Sequence, residues 1–310
     1  MIPGVVASCL PDLDVLGSFF TDPASNLYTH RGLTHSFFAI TFFAFAGAYL
    51  TYKWIQSDIK LKKWWWMWIL LLLSHILLDS LNNYGIGWWE PFSHQRISFD
   101  ILYVADPLFS FWPAIVIMVI ILYPAGRNFK YSLWIVGMSA SFIYLSHCFI
   151  NKKIIDHKVE AVLKQNGINH DSYLTTPAPF QNWLWFVVVK VKDVYYTGFA
   201  SVFEGNEKLT FEKFDQNDSL LLQYSNHLEV LKLKTFARGY YTAEMWHDTL
   251  VFNDLRFGQI IGWQEPRQKF VFHYFLKPGA DNKMVVQRGR LELWSPQVIR
   301  NYLKKIFGLP

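Results

Sequence analysis

Four stretches of the chain run without Asp, Glu, Lys or Arg for long enough to form helices in lipid: 36–52, 64–78, 107–126 and 131–151. The second reaches spanning length only by continuing through Asp79 to Leu81, which sets an ionisable group inside or at the edge of the apolar layer. Met1–Leu10 is apolar but short of the roughly 20 residues a span requires, and without a basic start or a small-residue cleavage motif it is a poor signal peptide. From Trp183 the pattern changes to alternating β-branched and aromatic residues, as in "LWFVVVKVKDVYYTGFASVF" (184–203), "LEVLKLKTFARGYY" (228–241), "FVFHYFL" (270–276) and "KMVVQRG" (283–289), all expected as strands. "LKPGADNK" (276–283) reads as a turn, and "SPQVIRNYLKKIFG" (295–308) as a helix opened by Ser-Pro and stopped by Gly.

The fold these elements predict is a membrane α-helical bundle of about four spans plus the short N-terminal segment (1–151). A linker helix, "DHKVEAVLKQNG" (156–167), and a Pro-containing loop follow within 152–182, then a small, mainly antiparallel β domain with a C-terminal helix (183–310). Composition agrees, with 52% hydrophobic and 18% aromatic residues, and "KKWWWMW" (62–68) suits a bilayer interface. The 29 basic and 24 acidic residues leave a charge of only +5, scattered or placed beside apolar segments, which excludes a nucleic-acid stripe. Read as topogenic, Lys53, Lys60, Lys62 and Lys63 after the first span and Arg127 and Lys130 after the third face the cytoplasm, although Lys152 and Lys153 run against this rule. Residues 1–35, 82–106 and everything after 151 then lie on the non-cytoplasmic side of a multi-pass protein. Cys9 and Cys148 fit neither a disulfide framework nor a thiolate metal site and are expected as buried free thiols.

Four polar motifs share that side: "PDLD" (11–14), "HRGLTHS" (30–36), "SHILLDSLNNYG" (74–85) and "VADPL" (104–108). His75 and Asp79 are four apart on a helix, roughly 40° around its axis, so both can address one ion. A cation would offset the cost of a carboxylate in lipid, about 2.5–3.5 kcal/mol at a helix centre. His30 and His35, five apart, do not share a helical face, so one belongs to the preceding loop, where Gly32 permits a tight approach and Thr34 can cap. Asp12, Asp14, His30, His35, His75 and Asp79 together offer oxygen and nitrogen without sulfur, which suits Zn²⁺, Mn²⁺ or Fe²⁺ as one ion or two. Arg31 is the candidate for holding developing negative charge, and Asp106 for a general base. His94, Arg96 and His147 read as packing or supporting residues, "TTPAPFQNWLW" (175–185) as a linker, and His247, Asp248, Asp254 and Arg256 as surface polar groups.

The PDLD, HRGxTHS, HxLLDxxxxYG and Asp-Pro elements, over about residues 4–110, resemble the YdjM-like family of bacterial inner-membrane metal-dependent hydrolases, also described as LexA-regulated or LexA-binding. The later "PAPF…W" and "DLRFG" segments resemble the β-rich tail of some longer members. The resemblance implies a membrane-embedded hydrolase with a metal site at Asp12, Asp14, His30, His35, His75 and Asp79. It also implies a longer apolar start bearing a further Thr-His, where this chain opens "MIPGVVASCLPDLD". The expected function is metal-dependent hydrolysis of an ester or phosphoester of a lipid or lipid-linked substrate, since an amphiphile reaches an interfacial site most easily. A structural or regulatory membrane protein with a metal-stabilised fold is the alternative. Transport fits less well because the third span has no polar groups through its depth.

Overall fold

The computed structural model describes residues 2–55, 58–123, 126–224, 227–277, 279–282, 291 and 293–309, divided into two units. The first comprises residues 1–99, 217–252 and 274–284. It begins with α1 (Ile2–Cys9), a 3₁₀ segment Pro11–Phe19, α2 (Pro23–Thr29) and a 3₁₀ turn Leu33–His35. Ser36 then caps α3 (Phe37–Trp54), its side chain accepting from Ala39 N. α3 packs on α4 (Leu61–Asp79) through a stripe of small residues, Ala44, Gly47 and Ala48, set against Trp68, Ile69, Leu72 and Ile76. Gly47 is what allows this approach, because a Cβ there would lie 2.5 Å from the Trp68 ring. Trp68 donates to Thr51 Oγ1 at 3.1 Å, so the one polar atom of the large ring is paired.

The outward face of α3 is as apolar as the packed one: Phe38, Phe42, Phe45 and Tyr49 are exposed. A helix apolar all round that leaves such a face open is a helix for lipid. α4 is long and apolar enough to cross a membrane, as is α6 of the second unit (introduced below), and the bent pair Pro23–His35 and Phe37–Trp54 makes a third crossing if it counts as one span. The expected third span is a 16-residue apolar helix, α5 (Pro107–Leu122), shorter than the other candidates, so among the described residues two to three of the four apolar runs have the length and composition of a crossing. Its length is limited by Asp106 and Pro107 at one end and the break at Tyr123 at the other.

The second unit comprises residues 100–216, 253–273 and 285–310. In it α5 packs on α6 (Arg127–Gln165), where Gly137 faces Val116 so closely that a Cβ would lie 2.4 Å from it. α6 is one continuous helix of 39 residues, so the expected separate linker helix is its last turns. Those turns bury Ile155, Val159, Val162 and Leu163 against Trp185, Val187 and Val189 of a four-stranded sheet. The sheet consists of β1 (Ser172–Pro177), β2 (Leu184–Val191), β3 (Val194–Ser201) and β4 (Glu212–Asp215), antiparallel throughout in the order β1-β2-β3-β4. The single run expected at 184–203 is thus a hairpin, Val191 opposite Val194, with Lys192 at φ 54° in the turn.

In the first unit, 228–241 begins as α7 (Leu228–Phe236), correcting the strand expected there. The alternation of "LEVLKLK" also fits a spacing of three, and Val230, Leu233 and Phe236 are its buried face, with Lys232 Nζ donating to Ser25 Oγ of α2 at 2.5 Å. β5 (Tyr241–Trp246), β6 (Thr249–Gln259) and β7 (Phe270–Phe275) form a second sheet in that order. α8 (Pro296–Phe307) has the expected ends, a Ser295 cap accepting from Val298 N and Gly308 at φ 64°. The strand expected at 283–289 lies outside the described residues.

Three further expectations change. Asp254 and Arg256, read as surface groups, are fully buried in β6 and paired, Arg256 Nη2 to Asp254 Oδ2 at 2.6 Å. "PAPFQNW" is a hydrogen-bonded hub, not a plain linker: Gln181 Oε1 accepts from Leu184 N at 2.8 Å, its Nε2 donates to Tyr302 Oη at 3.0 Å, and Asn182 Nδ2 donates to the Ile101 carbonyl at 2.7 Å. Both cysteines are free, Cys148 buried but Cys9 exposed.

Candidate metal centre

The polar end of the α3–α4 pair collects the motifs. Asp12 and Asp14 come from the 3₁₀ segment after α1, His30 and Arg31 from the end of α2, His35 from the turn before α3, and His75 and Asp79 from the last turns of α4. Arg31 adopts φ 60°, a left-handed conformation rare outside glycine, and the surroundings hold it there. Its N–H donates to Asp14 Oδ2 at 3.0 Å, and its carbonyl accepts from Gly87 N at 2.8 Å and Arg96 Nη1 at 2.8 Å. Arg96 also donates to the carbonyls of His30 and Tyr28, so this buried guanidinium is the clamp of the loop.

Four side chains converge: Asp12, His35, His75 and Asp79 each offer one ligand atom, all within 4.8 Å of one another. His35 Nε2 lies 3.3 Å from His75 Nε2 and 3.3 Å from Asp12 Oδ1, and His75 Nε2 lies 3.5 Å from Asp12 Oδ1. Asp79 Oδ2 lies 3.6 Å from His35 Nε2 and 3.8 Å from His75 Nε2. Ligands about 2.0–2.1 Å from a tetrahedral ion are separated by roughly 3.3–3.4 Å. Five of the six edges, at 3.3–3.8 Å, are therefore close to those of such a ligand set, and the sixth, between the Asp12 and Asp79 oxygens, is within 4.8 Å.

Protonation follows from the outer contacts. His75 Nδ1 is 2.8 Å from the Ser8 carbonyl, which accepts and never donates, so Nδ1 carries the hydrogen and Nε2 presents its lone pair. His35 Nδ1 sits 2.9 Å from Thr34 Oγ1 and 3.4 Å from Asp14 Oδ2, and Thr34 in turn donates to Asp14 at 2.8 Å. With its hydrogen toward these oxygens, His35 also turns an Nε2 lone pair inward. Two lone pairs facing across 3.3 Å beside two carboxylates form a set of acceptors that a cation satisfies. Asp79 Oδ2 points the same way, a buried oxygen with no hydrogen bond among the described residues and an ion pair to Arg31 Nε at 3.1 Å.

Asp14 and His30, expected among the ligands, pair with each other instead: His30 Nδ1 to Asp14 Oδ1 at 2.7 Å. Burial pushes the Asp14 carboxyl up, but the His30 and His35 imidazoles more than reverse this and hold it well below the usual carboxylate range. Arg31 is mostly buried, donates to Asn82 Oδ1 at 2.9 Å and stacks on Tyr84 at 5.1 Å. Asp106, in the second unit, is the N-cap of α5, accepting from Leu108 N, Phe109 N and Tyr144 Oη, the last at 2.9 Å. His94, largely exposed, pairs with Glu90 at 2.9 Å, and His147 Nε2 accepts from Trp183 Nε1 at 3.1 Å. The Ser8 carbonyl had no signature in the sequence, since any residue offers one.

His35 is fully buried, whereas the Asp12 carboxylate is 52% exposed, so the cluster opens to its surroundings beside Asp12.

Comparison with known proteins places this geometry. The chain is 33% identical over 98 residues to the inner membrane protein YbcI of Escherichia coli K12, covering 31% of this chain and 56% of YbcI. It is 29% identical over 108 residues to YfhP of Bacillus subtilis 168, covering 34% of this chain and 32% of that protein. The chain thus matches about half the length of one relative and a third of the other. No solved structure matches it. The profile of the YdjM inner membrane protein family matches residues 1–155, the half that carries all four converging side chains, and the chain belongs to that family of membrane proteins.

Proposed function

We propose that this protein is a membrane-bound metal-dependent hydrolase that cleaves an ester or phosphoester of a lipid or lipid-linked substrate. The observation that supports this most is the convergence of Asp12, His35, His75 and Asp79 within 4.8 Å with both histidine Nε2 atoms turned inward. The donor set, two imidazoles and two carboxylates, suits Zn²⁺ best and Mn²⁺ or Fe²⁺ next. A divalent ion bound there would supply Lewis acidity and bring the pKa of water near neutrality. The chain's own residues do the rest. Asp14 and the Ser8 carbonyl orient the two histidines, and Arg31 neutralises Asp79. Its engagement with Asp79 and Asn82 supports a role in holding the ligand set more than in gripping a substrate anion. His30, its Nδ1 fixed by Asp14 and its ring partly exposed, is better suited to move a proton at Nε2 than Asp106, whose carboxylate is committed to the α5 cap and Tyr144. The opening at Asp12 gives substrate its approach. Counting α3 and α5 as crossings gives four spans with the lysine-bearing connections in the cytoplasm and the metal centre at the outer face of the inner membrane.

One observation favours a structural ion instead: four protein ligands are the pattern of closed sites, whereas catalytic zinc sites keep a position for water. Purified protein in detergent should carry about one zinc per chain and turn over members of a panel of phospholipids, lipid esters and soluble phosphoesters. His75→Ala and Asp79→Ala should lose both properties. Metal without turnover across the panel would leave the structural reading standing.

A further inference from the structure

The opposite end of the α3–α4 pair carries a feature the metal centre does not use. Phe45, Ala48 and Tyr49 of α3 and Leu61, Lys62 and Trp65 of α4 surround a groove of about 440 Å³. Its walls are rings and methyl groups, with Phe45 and Trp65 ring centres 5.7 Å apart, and Lys62 is the one charged residue that lines it. Lys53 Nζ lies 5.8 Å from the centre of the Tyr49 ring, which brings a second ammonium to the same wall. In sequence Lys60 and Lys63 flank Leu61 and Lys62, with Asp58 the one acid in the segment 53–63. Phe42, Phe45 and Tyr49 are exposed on the flank of the groove, on a helix whose outward face is made for lipid.

Each part matches one part of an amphiphile. An apolar groove on a lipid-facing surface takes an acyl chain. Ammonium groups at its mouth take a phosphate, and interfacial lysines draw anionic lipids specifically. We propose that this groove holds an acyl chain of an anionic glycerophospholipid, with the headgroup phosphate at Lys62 and Lys53. The assignment is independent of the hydrolase reading, because no residue of the groove touches the metal cluster.

Native mass spectrometry of the full chain in detergent, titrated with equimolar phosphatidylglycerol and phosphatidylcholine of matched chains, tests it. The expected result is a single phosphatidylglycerol adduct retained at activation energies that strip phosphatidylcholine. Lys62→Gln should cut that preference about fivefold, the factor one lysine near a membrane surface contributes. Phe45→Ala should weaken retention of both lipids, since it removes a wall and no charge. Equal retention of the two lipids by the unaltered protein would overturn the proposal, as would a preference that Lys62→Gln leaves unchanged. Both substitutions fall on exposed side chains, and bound metal measured on the same samples reports that the helix pair is intact.

Discussion

His35 and His75 meet Nε2 to Nε2 at 3.3 Å, each turned that way by the partner of its other nitrogen. Contacts to the far nitrogen of a metal-binding histidine typically change affinity by about 10–100-fold when removed. Asp14→Asn is therefore expected to lower zinc affinity by that factor without abolishing binding, while His35→Ala abolishes it. Competition with a chromophoric chelator measures both. Equal losses in the two variants would place Asp14 among the ligands.

The acid side of the stability profile gives a second test. Asp14 is held below its ordinary value of 3.8, so in chelator-treated protein its contribution to stability is complete above that pH and is lost as pH falls below it. Asp14→Asn should flatten this part of the unfolding profile in detergent. A slope between pH 5 and 3 identical in the two proteins would contradict the assignment.

Gly47 faces the Trp68 ring across a gap that no Cβ can enter. Gly47→Val should therefore cost about 1–3 kcal/mol, the usual penalty of overpacking, seen as a lower midpoint of thermal unfolding in detergent. Gly17→Ala, at a glycine with open space around it, is the control.

Asp254 and Arg256 lie at alternate positions of one strand and answer each other in the interior. Asp254→Ala leaves a buried guanidinium without its counter-charge and is expected to cost about 3–5 kcal/mol, whereas replacing both residues by apolar ones of similar volume should cost much less. A double-mutant cycle on chemical unfolding reads the difference.

Much of the centre was legible because helix periodicity is. The i, i+4 spacing of His75 and Asp79 fixed their shared direction, and the opposite directions of successive apolar runs brought the HRGLTHS turn to the same end. The division of labour among the six candidates was not legible. Asp12 and Asp14 are equivalent in sequence, and only the 3₁₀ geometry turns one toward His35 and His75 and the other toward His30 and Thr34. The strands of 184–201 followed from β-branched alternation, whereas "LEVLKLK" satisfied two periods at once and the helix preference of Leu, Glu and Lys prevailed. Alternation also set Asp254 and Arg256 on one face of β6 but could not say that the face would be covered.

α6 has one further consequence. Its apolar portion and the turns that carry Ile155, Val159 and Val162 into the sheet core belong to one unbroken rod of 39 residues, about 58 Å long at 1.5 Å per residue. With no break along it, the segment apolar enough to cross a membrane and the segment that seats the four-stranded sheet are one element, so neither can be repositioned as a rigid body without carrying the other.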